Sequence, residues 1–130
     1  MSHGCLDLVG EGPVLVVDIE VIRCGIIIAN VDVENFDDIL QVMNNIKPDV
    51  VINCVGVVKQ LSSAEDVLVS VPLNTLLPHR LARICELVAA RLIHVSTDCV
   101  FSGAKGSYTE QDLPDAKDVY GRTKLLGEVV

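Results

Sequence analysis

Tryptophan is missing, and aromatic residues make up only 3% of the chain, two Tyr and two Phe. A core built here must therefore rest on Val, Ile and Leu, the composition of a buried parallel sheet covered by helices. Long apolar runs are missing too. Val14–Val17 and Gly25–Ala29 fall well short of the roughly 20 residues that cross a bilayer, and the opening MSHGCLDLVGEG has no basic stretch before an apolar one. The expectation is a soluble, cytoplasmic protein with no membrane partner. Positive charge is scarce, at 10 Lys+Arg against 18 Asp+Glu and a net charge of -8. Such a surface repels phosphate backbones, which excludes nucleic acid as a partner. It does not exclude an anionic dinucleotide, whose phosphates are held locally by backbone N–H groups and helix N-termini.

The five cysteines, Cys5, Cys24, Cys54, Cys85 and Cys99, form an odd set without CxxC spacing or neighbouring paired histidines. Neither a zinc site nor a disulfide framework follows. Cys24, Cys54 and Cys85 stand among apolar or small residues and read as small buried hydrophobes in a reducing compartment. With 130 residues there is room for one core and not for a two-domain enzyme.

Hydrophobic period and punctuation supply the organisation. After Gly12-Pro13 the run VLVVDIEVI reads as a strand, with Cys24–Ala29 as a second strand or its continuation. From Glu34 to Ile46 the apolar Phe36, Ile39, Leu40, Met43 and Ile46 recur at helical spacing, with acids in the first turn where the dipole favours them. Lys47-Pro48 ends that helix, and Asp49–Cys54 is a short, nearly all-apolar strand. A helix start is expected at Ser62–Glu65, and Leu77, Leu81, Ile84, Cys85 and Val88 mark a helix over Leu76–Ala90. Pro72 and Pro78 each remove a backbone N–H, so a break or kink is expected near Pro72 and either a second helix start or a kink at Pro78. Arg91–Ser96 is a further strand, followed by a Gly-rich polar loop over Thr97–Asp118 and a last helix from about Val119. Alternating strands and helices imply right-handed crossovers onto a parallel sheet, whose ligands gather at the strands' carboxyl ends.

Chemistry concentrates near the end of the chain. Tyr120 and Lys124 are four apart in VYGRTK, so both project from one helical face. A phenol is a poor acid–base group near neutrality, with an ordinary pKa of about 10, and an ammonium one turn away favours its ionised form. Taken alone, this pattern is also what a solvated surface Tyr/Lys pair looks like. The strand RLIHVS upstream ends in Ser96-Thr97 and so brings hydroxyls to a strand's carboxyl end. His79 and His94 have no motif-placed carboxylate or cysteine beside them and read as structural.

The pieces VDVENFDDI, KPDVVINCVG, LNTLLPHRLA, RLIHVSTDCVFSG and YGRTKLLGE resemble, in order, the extended short-chain dehydrogenase/reductases, and within them the dTDP-4-dehydrorhamnose reductase family of sugar-nucleotide reductases. The resemblance implies a partial doubly wound, Rossmann-like α/β sheet. It implies a catalytic triad of Thr97, Tyr120 and Lys124, with Ser96 adjacent and sharing the hydroxyl role or the cofactor contact. Tyr120 would protonate a substrate carbonyl, Lys124 would also bind the nicotinamide ribose, and Thr97 would hold the same carbonyl. Asp32 and Val33 would lie at the adenine, although a loop or capping acid is the plainer reading of Asp32. Asn53, Cys54, Val55 and Gly56 would line NADP or NAD, Gly56 by permitting close backbone approach. Asn74 matches a family asparagine behind the site. Lys59 and Gln60 are read either as an exposed loop or as substrate contacts.

The family's Gly-rich turn GxxGxxG is missing. Gly10-Glu11-Gly12 precedes a strand-like run instead of a helix, so residues 1–30 are expected to replace the first βαβ unit, and residues 31–130 to form the central part of the dinucleotide-binding domain. Asp18 or Glu20 is a weak stand-in for the ribose-binding acid. The second half of the family's fold, which would bind the sugar nucleotide, has no counterpart before Val130. Unpaired sheet edges and a half-covered face rich in Val would then favour self-association, such as a homo-oligomer. The enzymatic reading is NAD(P)H-dependent reduction of a nucleotide-linked 4-keto-6-deoxy sugar. Its rivals are a sugar-nucleotide epimerase, a non-catalytic regulatory protein on the same scaffold, of which the regulatory subunit of methionine adenosyltransferase is a family example, and an inert fragment.

Overall fold

A computed structural model describes residues 14–17 and 31–128. Three parallel strands form its sheet in the order β1 (Val14–Val17), β2 (Val50–Asn53), β3 (Arg91–His94). Val14 pairs with Val50 and Val50 with Arg91, so β2 is central and the three strands end together. The continuation of VLVV toward Ala29, Cys5 and Cys24, and the acids Asp18 and Glu20 lie outside the described residues.

Helix α1 (Phe36–Ile46) starts where Asn35 accepts the N–H of Asp37 and ends on Lys47, whose left-handed backbone (φ 49) sends its N–H to the carbonyl of Met43. Ile39 and Met43 are buried as the helical spacing predicts, whereas Phe36, expected on the same face, is exposed. They meet Val51 of β2 and Leu77, Leu81, Ile84 and Cys85 of α3 (Leu77–Val88), with Leu92 of β3 at the margin. Val51 pairs with Leu92, so both point toward these helices; their neighbours Ile52 and Ile93, also partners, face the other way and stay half-exposed. The described helices thus build one layer of the expected α/β sandwich.

The segment before α3 departs from the proline-based expectation. After a 3-10 turn (Ser62–Glu65) and the extended Asp66, which caps it, the one-turn helix α2 (Val67–Ser70) runs without a break into a π-helical turn over Val71–Leu76 and then into α3. Pro72 sits at the beginning of the π-turn, and the N–H of Leu77 reaches back five residues to its carbonyl. Widening the helix by one residue accommodates the proline where a break or kink was expected. Pro78 falls in the first turn of α3, where its missing N–H costs little.

Two further corrections concern burial. Cys85 is buried as expected, but Cys54, just past the end of β2, is exposed. Val88, assigned to the buried face of α3, is 39% exposed.

Candidate active site

The last helix, α4 (Val119–Glu128), is positioned by its own first turn. Asp118 Oδ1 accepts the N–H of Gly121 at 2.7 Å, an N-cap contact to the third helical residue. Gly121 is forced by proximity: a Cβ there would lie 2.3 Å from the carbonyl oxygen of Cys99. Without that side chain, α4 lies directly on the 3-10 turn Asp98–Val100 that follows β3.

Tyr120, 9% exposed, packs on Val57 and Ala64, with Cys99 and Leu73 at the edge of the cluster. One turn further along, Lys124 is 5% exposed and its Nζ donates to the carbonyl of Val95 at 2.8 Å. Burial lowers the Lys124 pKa from the ordinary lysine value, opposed by the nearby Glu128 carboxylate. The same ammonium stands 3.8 Å from where a Cβ on Gly56 would be, and that Cβ would also press on Asn74 Oδ1 at 2.9 Å. Lys124 is thereby wedged between the carboxyl ends of β2 and β3, the place where parallel sheets meet their ligands.

Thr97 caps the 3-10 turn, its hydroxyl accepting the N–H of Cys99 at 3.2 Å. Thr97 and Tyr120 therefore share Cys99 as a neighbour. Ser96 points elsewhere: its hydroxyl bonds Glu128, and it borders a cleft with His94 and Cys85 beside the outer edge of β3. The structure thus brings Thr97, Tyr120 and Lys124 to one end of the sheet and sends Ser96 to a different surface.

The residues after β2 divide in the same way. Cys54 is exposed and Val55 buried, with Gly56 half-buried between Asn74 and Lys124. Asn53 is fully buried, so its side chain shapes the turn from within: Oδ1 accepts the N–H of Val55 at 3.1 Å, and Nδ2 donates to His94 Nδ1 at 3.1 Å. Burial, reinforced by the charge of Lys124, pushes the pKa of His94 down to about 4. Asp32 spends one carboxylate oxygen on the N–H of Glu34 within its own turn and is exposed; Val33 packs at the margin of the core.

Several residues outside the proposed triad hold this site. Asn74, on the π-turn and fully buried, accepts the N–H of Val57 at 2.9 Å and donates to Thr123 Oγ1 at 3.2 Å; Thr123 in turn donates to the carbonyl of Tyr120 at 2.9 Å. This chain ties the loop after β2 to the helix carrying Tyr120 and Lys124. Asn74 is legible from the family resemblance and Asp118, three residues before Gly121, from its capping position; Thr123 carries no local signal of its role. His79, read as structural, bonds the carbonyl of Leu126 at 2.8 Å. Among the described residues no group of three or more His, Cys, Asp or Glu could hold a metal ion.

A parallel sheet covered by helices, with a buried lysine and a tyrosine one turn apart at its strand ends, defines a protein of the Rossmann-like α/β class. Residues 15–130 match the RmlD substrate binding domain family, and the chain belongs to it. It is 42% identical over 85 residues to dTDP-4-dehydrorhamnose reductase of Mycobacterium tuberculosis, covering 62% of this chain and 28% of that protein. It is 35% identical over 91 residues to methionine adenosyltransferase 2 subunit beta of Xenopus laevis, covering 66% of this chain and 26% of that protein. A crystal structure of dTDP-4-dehydrorhamnose reductase from Bacillus anthracis in complex with NADP superposes with a TM-score of 0.69 at 30% identity, over 75% of this chain and 35% of that one. The chain spans about a quarter to a third of the length of the curated relatives it matches.

Proposed function

We propose that this chain carries the proton-transfer half of an NAD(P)H-dependent reductase of nucleotide-linked 4-keto-6-deoxy sugars. The observation that carries the reading is the placement of Lys124: a buried ammonium held by Val95 O between two strand ends, one helical turn from Tyr120. Its relatives named as dTDP-4-dehydrorhamnose reductases, and the NADP bound by the Bacillus anthracis neighbour, support the substrate and cofactor classes.

The residues present fit the nicotinamide end of such a cofactor through Lys124, whose ammonium donates to Val95 O at the strand ends and keeps further N–H donors for a ribose hydroxyl. Bound reduced nicotinamide supplies the hydride. Tyr120 gives its phenolic proton to the substrate carbonyl oxygen as negative charge develops there. Lys124 stabilises the phenolate left behind and holds the cofactor ribose, and the Thr97 hydroxyl orients the carbonyl. Asp32 and Val33 remain the proposed adenine contacts, with Cys54 and Val55 as further candidate cofactor contacts and Asn53 acting through the turn it shapes; Ser96, turned to the cleft beside β3, is not among them.

The test is NADPH oxidation with a dTDP-4-keto-6-deoxy sugar, comparing this chain, within its full gene product where that is longer, with its Tyr120→Phe form. A loss of about 100-fold or more in kcat is expected; equal rates would remove Tyr120 from the mechanism. The similarity to methionine adenosyltransferase 2 subunit beta favours a second reading, a regulatory protein on the same scaffold. It predicts NADP binding without turnover of any 4-keto sugar nucleotide.

A further inference from the structure

Helix α4 is held on the π-turn through one residue of its own interior. Thr123 is buried, and both of its oxygens are engaged by consecutive residues of that turn. Asn74 Nδ2 donates to Thr123 Oγ1 at 3.2 Å, and Thr75 Oγ1 donates to the Thr123 carbonyl at 2.8 Å. One turn further along α4, Gly127 packs against the same place: a Cβ there would collide with the carbonyl oxygen of Asn74. Helical spacing puts Tyr120, Thr123, Lys124 and Gly127 on one face. The π-turn therefore grips the face that carries the phenol and the ammonium.

That grip reaches the phenol by two routes. Thr123 Oγ1 donates to the carbonyl of Tyr120 at 2.9 Å. A hydroxyl returned to the preceding turn is at best neutral for the helix itself, so what it contributes is placement. By the second route, Asn74 Oδ1 accepts the N–H of Val57 at 2.9 Å, and Val57 packs on Tyr120. One amide thus fixes both the loop that the phenol lies against and the helix that carries it. π-turns are rare and recur at functional sites, and this one presents Asn74 and Thr75 to α4 together. We propose that Thr123 is a positioning residue for Tyr120: locked by Asn74 and Thr75, it fixes the rotation of α4 at which the phenol meets the substrate carbonyl. The inference rests on the reductase reading and adds to it a residue that touches neither substrate nor cofactor.

Thr123→Val keeps the side chain's shape without its hydroxyl, and Thr123→Ser keeps the hydroxyl. In the reductase assay Thr123→Val should lower kcat about tenfold with KM for the sugar nucleotide within about twofold, and Thr123→Ser should return to within about threefold of the unaltered rate. A second readout needs no turnover. Of the chain's two tyrosines, Tyr108 stacks on Phe101 at 4.5 Å and serves as the internal standard. In ring-labelled protein, Thr123→Val should shift the Tyr120 resonances and weaken their NOEs to Val57 while Tyr108 stays unchanged, and Thr123→Ser should restore both. If Thr123→Val fails to fold, which loss of the Tyr108 signals reveals, Thr75→Val takes its place, with the same ring shift and about a threefold fall in kcat. Unmoved Tyr120 signals, an unchanged kcat, or Thr123→Ser behaving like Thr123→Val overturns the proposal. Failure of the reductase reading is recognised separately, by Tyr120→Phe turning over at the unaltered rate, and the ring signals then decide the positioning role alone.

Discussion

The two ends of the polar interior are built differently. At the strand ends, Asn53, Asn74, Thr123 and Lys124 are each at most 5% exposed, and each has its hydrogen-bond partners among the described residues. Along the outer edge of β3, Leu92 and Ile93 are half-buried, and His94 Nε2 is buried with no partner among the described residues, beside a cleft of about 540 Å³. Buried polar groups are costly unless paired, so the first region is a finished network and the second is one whose stability depends on conditions. The site's support is local to this stretch of chain even though the stretch matches only part of its relatives.

Removing a member of the finished network should have the largest effect. Asn74→Leu leaves the buried Val57 N–H without its acceptor and takes the Asn74 donor from the Thr123 hydroxyl, which still bonds Tyr120 O, and should cost about 3 kcal/mol in urea unfolding. Loss of less than about 1 kcal/mol would mean that the loop and α4 are not coupled through Asn74. Gly121→Ala places a Cβ against the Cys99 carbonyl and should cost about 2 kcal/mol by pushing α4 off the 3-10 turn. Its heteronuclear spectrum should show shifts concentrated around Asp98–Val100.

Lys124→Met separates stability from chemistry. The buried ammonium carries a desolvation cost, seen in its lowered pKa, so a neutral side chain of similar length should change stability by about 1 kcal/mol or less. Turnover in the reductase assay should fall by about 100-fold. A large stability loss with intact turnover would assign Lys124 to the fold instead.

The smallest effect belongs to the unfinished edge. His94 has an ordinary pKa of 6.5, lowered to about 4 in the folded chain. Below pH 6.5 the unfolded chain binds a proton that the folded one refuses, so stability should fall as pH drops from 6.5 toward 4 and be fully present above 6.5. Discounted for partial solvent screening, the loss should be about 1–2 kcal/mol. His94→Gln, which retains an acceptor for the Asn53 amide, should flatten that slope in unfolding measured at several pH values.

The same contrast explains what was legible beforehand. The helical spacing of Ile39 and Met43, the apolar run before Asn53 and the Tyr120–Lys124 interval all report local periods, and each lies where its period put it. The π-turn did not announce itself, because proline forbids an N–H without saying whether a helix stops or widens. Cys54 misled because its apolar neighbours describe a strand that ends one residue earlier. The Asn74–Thr123 link joins residues 49 positions apart, and no local period records such a contact. Gly121 was visible as a residue costly inside a helix, but its reason, the Cys99 carbonyl, comes from tertiary approach.

The central claim is that the phenol of Tyr120 and the hydroxyl of Thr97 serve one carbonyl beside Lys124. A crystal structure with NADP and a dTDP-sugar bound tests it most directly. The account predicts Tyr120 Oη and Thr97 Oγ1 both within about 3 Å of one sugar oxygen, with Lys124 still bonded to Val95 O. A Tyr120 hydroxyl turned into the Val57–Ala64 cluster, with no room for a carbonyl between it and Thr97, would contradict it.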